Sequence, residues 1–133
     1  MNIEARQYGG HIRFHTETVG PGETRGMMPV QEGILNPFGT VHAGALIWFA
    51  DVCATRLALQ GVEPHGGMSG FPLSINMTAQ LLQNVTSGTL MARSSFVRRG
   101  RTIQTVRTEV KTDAGLLLLD LTSSHVASRQ RQD

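Results

Sequence analysis

Alternating apolar and polar side chains mark strands at both ends of the chain, and a long apolar run marks a helix between them. Residues 11–19, HIRFHTETV, put Ile12, Phe14 and Thr16 on one side. After a turn at Pro21-Gly22-Glu23, residues 24–31, TRGMMPVQ, return as a second short strand. Asn36 to Thr40 is a loop rich in Asn, Pro and Gly. His42 to Gln60 has helical length and good helix formers, and Gly61 is placed to stop it. A loop at 61–67, GVEPHGG, precedes four strands near 71–83, 89–98, 102–112 and 115–127. The breaks between them, at Ser87-Gly88, Arg99-Gly100 and Asp113-Ala114-Gly115, are short, so an antiparallel meander is the simplest pairing. This inventory predicts one α+β domain over residues 1–133, a long antiparallel sheet packed on a single helix.

The helix is apolar nearly all round. Ala45, Leu46, Ile47, Trp48, Phe49 and Ala50 run without a polar break, and Val52, Ala54, Leu57 and Ala58 continue the pattern. Either the sheet wraps it or a second subunit covers what the sheet leaves.

Asp51 interrupts this run. It lies too far into the helix to be the N-cap, and its neighbours one turn away, Ile47, Trp48, Ala54 and Thr55, include no cation. Arg56, five positions on, points away around the helix. A carboxylate there is costly to bury unless something satisfies it. Two explanations stand. The face is exposed or pairs with an arginine from elsewhere in the fold; or burial tunes Asp51 as a general base or nucleophile in a cleft.

The other end of the helix offers a complement. At His42-Ala43-Gly44 two small residues begin the helix, where backbone N–H groups lack helical partners and the dipole is positive, a place for an oxyanion. Gly44 and Asp51 are seven residues apart, roughly 10 Å along the axis at ~1.5 Å per residue. A reacting carbonyl must lie ~3 Å from both donors and attacking group, so one helix cannot supply both. Two copies packed antiparallel about a two-fold axis can, with two equivalent sites per dimer.

Composition narrows the function. A formal charge of +2 with 17% charged residues, and no basic run interleaved with aromatics, argues against nucleic-acid binding. The N-terminal residues lack the apolar core of a signal peptide and no segment approaches ~18 apolar residues, so a cytoplasmic protein without a membrane span is expected. Cys53, the single cysteine, reads as a small buried hydrophobe. The five histidines form no metal set: His11 and His15 fall on a strand, too far apart to chelate together, and His65-Gly66-Gly67 is a loop. Neither GxGxxG nor GxxxxGK[ST] occurs, and Phe71 breaks the nearest approach to GxSxG. Arg98, Arg99 and Arg101 cluster at Gly100, either as a solvated hairpin tip or as forks for phosphate.

The segment Asn36-x-x-Gly39-x-x-His42-Ala43-Gly44, with Asp51 nine residues after the histidine, resembles the N-x-x-G-x-x-H-G-G-x6-D pattern of hotdog-fold acyl-CoA thioesterases of the phenylacetate-degradation and human thioesterase superfamily kind. The resemblance covers most of the chain. It implies a sheet wrapped around a central helix, dimers that commonly pair into tetramers, and hydrolysis of an acyl-CoA thioester with no metal or redox cofactor. By the same resemblance Asp51 is the catalytic carboxylate and the amides of Ala43 and Gly44 form the oxyanion site. Asn36 and His42 shape the turn and contact the thioester or water, and Ser74, in PLSINM, helps orient the water. Arg98, Arg99 and Arg101 suit the phosphates of coenzyme A. Ala43 departs from the pattern's first glycine; its methyl group keeps the amide donor but forbids a left-handed backbone. Trp48, Phe49 and Met68 are placed either to line an acyl pocket or to fill the core. Two rivals share the acyl ligand: a hotdog dehydratase, and a non-catalytic acyl-CoA sensor, whose output segment these 133 residues leave no room for.

Overall fold

The computed structural model describes residues 7–129. Strands β1 (His15–Gly20) and β2 (Glu23–Pro29) form a hairpin, a single 3-10 turn follows at Glu32–Ile34, and helix α1 spans Ala43–Leu59. Four longer strands complete the chain: β3 (Pro72–Leu81), β4 (Thr89–Arg99), β5 (Ile103–Thr112) and β6 (Leu117–Ala127). All pair antiparallel in one sheet of order β1-β2-β4-β5-β6-β3.

That order corrects the expected meander. β4, β5 and β6 do follow one another through short turns, but β3 pairs with β6 through Thr78↔Thr122 and Leu81↔Leu119, and β4 gives its other side to β2. The link between β3 and β4 explains how. Residues 82–88 can extend over about 23 Å, whereas the three strand spacings from β3 to β4 total about 14 Å. Asn84 anchors the crossing: its side chain accepts the Val41 N–H at 3.0 Å and donates to the Val41 carbonyl at 2.8 Å. β3 is thereby an edge strand of the sheet.

The helix lays Leu46, Phe49, Ala50, Cys53 and Leu57 on the sheet, against Met28, Leu90, Ala92, Val106, Val110 and Leu121. Phe49 sits over β2 at Gly26, where an added Cβ would lie 2.8 Å from its Cε1 atom. The sheet covers one side only. Ile47, Val52 and Thr55 on the outer face are half-buried and Trp48 is 47% exposed, its ring edge-on to Phe14 with centroids 4.9 Å apart. The helix ends one residue earlier than Gly61 suggests, because Gln60 itself takes the left-handed conformation at φ 52° and closes the last turn onto the Leu57 carbonyl. Among the described residues no helix is long and apolar enough to cross a membrane.

Candidate active site

Asp51 projects from the middle of α1 toward β3. The Ser74 hydroxyl donates to its Oδ1 at 2.7 Å. A register shift after Ser74 lets Ile75 bulge out, so that Ser74 faces His125 and Asn76 faces Ser124 on β6; bulges of this kind re-aim side chains at sites. Behind Ser74 lies the His125 ring, with Nδ1 3.3 Å from the Ser74 Oγ and Nε2 2.9 Å from the Ser123 Oγ. Only 1% of His125 is exposed. Burial pushes its pKa below the ordinary histidine value, opposed by the Asp51 charge and a hydrogen bond to the Pro72 backbone.

Asp51 makes no ion pair among the described residues; Arg56 pairs loosely with Glu63 at 3.9 Å. The arginine clasp that the sequence left open is not formed. Nor is the carboxylate wholly buried, as the cleft explanation supposed: within one chain it is half-buried, because β3 shields it from one side only. It opens onto a cavity of about 350 Å³ whose apolar wall includes Val52, Leu59, Phe71 and Leu73, with Thr55 and Arg56 between them. Trp48, Phe49 and Met68 do not line this cavity. Phe49 is core, Trp48 packs on Phe14, and Met68 accepts the His65 N–H with its sulfur in the loop before β3.

The helix N-terminus is a second cluster. The Asn36 side chain folds the loop onto itself, its Oδ1 accepting from the Phe38 and Thr40 amides at 2.9 and 3.2 Å while Nδ2 donates to Thr40 Oγ1 at 2.7 Å. Gly39, at φ 79°, supplies the left-handed step this turn requires. His42 is the N-cap, and its Nδ1 accepts the Gly44 N–H at 3.2 Å. The Gly44 amide, expected as an open oxyanion donor, is therefore engaged by the adjacent imidazole in this structure. Ala43 N–H, one residue earlier, meets no acceptor among the described residues. Asn36, Val41, Ala43 and Leu46 border another hollow, of about 370 Å³, with Leu81, Leu82 and Asn84.

One chain thus brings Asp51 and Ser74 together, and Asn36, His42, Ala43 and Gly44 together, but not the two sets. The arginines lie beyond the opposite end of α1. Arg98, Arg99 and Arg101 are all exposed, and Arg99 is tied to the Gln60 side chain and stacks over Phe96 at 4.9 Å. Cys53 is buried, with its thiol pushed up to about 11 chiefly by desolvation, which agrees with a structural role. Among the described residues no three His, Cys, Asp or Glu side chains gather as a ligand set.

His125 and Ser123 are absent from the sequence expectations. The signal was there: on β6 the inward period-2 pattern Leu119, Leu121 continues as Ser123 and His125, polar groups at core positions.

Known proteins agree with this architecture. A family model described as the thioesterase superfamily matches residues 38–119, more than half of the chain and the stretch that carries α1 and most of the sheet. A Haemophilus influenzae protein that carries an esterase name is 24% identical over 107 residues, which span 80% of this chain and 75% of its own. The crystal structure of a thioesterase from the same organism superposes with a TM-score of 0.77 at 21% identity, covering 90% of this chain and 80% of that one. A Streptococcus pneumoniae thioesterase protein crystallised with coenzyme A superposes with a TM-score of 0.75 at 17% identity, over 90% of this chain and 89% of its own. The shared arrangement, one helix on a six-stranded antiparallel sheet, is the hotdog fold. By the family match and by its fold, this chain is a member of the thioesterase superfamily, whose chemistry is thioester hydrolysis.

Proposed function

We propose that this protein hydrolyses an acyl-CoA thioester to the free acid and coenzyme A, acting as a homo-oligomer of at least two chains. The observation that carries the proposal is a half-buried carboxylate without a cation, held by a serine hydroxyl at the mouth of an apolar cavity. Asp51 removes a proton from water as the water oxygen attacks the thioester carbon; in the direct alternative Asp51 attacks as nucleophile, the thiolate leaves, and water then hydrolyses the acyl-aspartyl anhydride, its proton balancing the thiolate. Negative charge collects on the former carbonyl oxygen and is stabilised by the Ala43 and Gly44 amides at the N-terminus of α1 in a second copy. Collapse breaks the carbon–sulfur bond, and the proton taken from water leaves with the thiol.

A second copy is needed because of the roughly 10 Å between Asp51 and Gly44 along one helix. The edge of β3 is suited to receive it. Leu73, Ile75 and Met77 are each at least 40% exposed there, beside the uncovered face of α1. Further pairing to a tetramer follows the family resemblance. Exposed Arg98 and Arg101, with Arg99, are suited to coenzyme A phosphates, and the coenzyme A held by the pneumococcal relative supports that ligand class.

A panel of acyl-CoAs assayed for thiol release tests this. Wild type should turn over at least one, and Asp51→Asn should lose about 10²- to 10⁴-fold in kcat. Equal rates for both proteins would remove Asp51 from the mechanism. Tight binding without turnover would favour a sensor, and loss of water from a hydroxyacyl-CoA with no free thiol would favour a dehydratase.

A further inference from the structure

We infer that His125, carrying its ring proton on Nδ1 and backed by Ser123, is a positioning residue that fixes the Ser74 hydroxyl as a donor to Asp51. The inference rests on Asp51 having the role proposed above, but its polarity follows from the hydrogen bonds of a neutral ring. A carboxylate in its ionised form only accepts, and a hydroxyl has one proton to give. The 2.7 Å bond to Asp51 Oδ1 uses the Ser74 proton, so toward His125 the Ser74 oxygen can only accept, and Nδ1 must be the donor across 3.3 Å. A neutral ring has a single N–H, so Nε2 accepts, and the Ser123 hydroxyl donates to it at 2.9 Å.

Every donor in the row Ser123, His125, Ser74 therefore points the same way, toward Asp51. The depressed pKa caused by burial keeps the ring neutral, which the alternation of donor and acceptor needs. With the Nε2–H tautomer, Nδ1 would draw the Ser74 proton to itself and Asp51 would lose its bond. With the Nδ1–H tautomer, Oδ1 is engaged and Oδ2 is left for the water or thioester in the cavity. His125 is 1% exposed and does not reach substrate; it acts through Ser74.

A double-mutant cycle tests this on the full protein. His125→Leu should lower kcat about tenfold with KM within about twofold, and His125→Asn, which can still present an N–H to Ser74, should recover most of the loss. In a Ser74→Ala background His125→Leu should cost less than about twofold, because the residue through which it acts is gone. The same fold-loss in both backgrounds, or none in either, would overturn the inference. Nitrogen-15 spectra of the histidine rings decide it independently of turnover. Near neutral pH His125 should be the Nδ1–H tautomer and should change its ring shifts in Ser74→Ala, whereas an Nε2–H or doubly protonated ring would refute it. If wild type releases no thiol from any acyl-CoA, the proposed reaction fails, and the spectra still decide the wiring.

Discussion

His42 and Gly44 satisfy each other at the head of α1: the imidazole Nδ1 accepts the Gly44 N–H at 3.2 Å. An oxyanion that uses that amide must displace the ring, so the cap stabilises the resting protein at the expense of an open donor. His42→Ala should lower stability by about 1 kcal/mol, the usual loss for a helix cap, a fall of about 3 °C in Tm. It should leave kcat within about threefold of wild type. Calorimetry and the thiol-release assay check the two halves, and a hundredfold fall in kcat would mean that the imidazole itself contacts the reacting group.

Gly26 and Phe49 are coupled by close approach rather than by backbone conformation. A methyl group at position 26 would stand 2.8 Å from the ring carbon Cε1 and 3.2 Å from Cζ, and Phe49 is fully buried. Gly26→Ala should therefore destabilise by about 1–3 kcal/mol, as overpacked cores do. Phe49→Leu costs stability alone but should relieve the clash, so the double substitution should be less unstable than the sum of the two. Denaturant titrations of all four proteins measure this; strict additivity would show that the ring does not meet the methyl.

His125 links stability to pH. Its native pKa lies below the ordinary value of 6.5, so the folded protein binds fewer protons than the unfolded chain from about pH 6.5 down to that lowered value. Stability should fall across this window as acid is added, and this contribution should be fully present above pH 6.5. His125→Asn should flatten the dependence of Tm on pH between about 5 and 7.5 while leaving the effects of carboxylates at lower pH in place. An unchanged slope in that variant would show that another group governs the acid limb.

Local sequence carried the parts of this molecule that are locally determined. The apolar run of α1, the turn residues around it and the one carboxylate that breaks the run are features of adjacent positions, so Asp51 was legible as an anomaly before any contact was known. The strand order was not. A seven-residue link after Leu81 serves a neighbouring strand or a crossing equally well, and the choice is made when β2 pairs with β4. Ser74 entered through family likeness, whereas His125, 51 residues further along the chain, had no local mark except a polar side chain on an inward-facing stripe. The engagement of Gly44 by His42 was equally hidden, because a rotamer decides it.

Holding Ser74 on β3 has an outcome for how the protein wears. Within one chain this border strand is bound by hydrogen bonds along one flank, here to β6 alone, so once a second copy leaves its edge it opens at lower free energy than the strands inside the sheet. Amide exchange along β3 should accordingly outpace that of β5. When the border lifts, the hydroxyl leaves the carboxylate while the helix and inner strands stay folded. Gentle heating should silence this protein before it melts it.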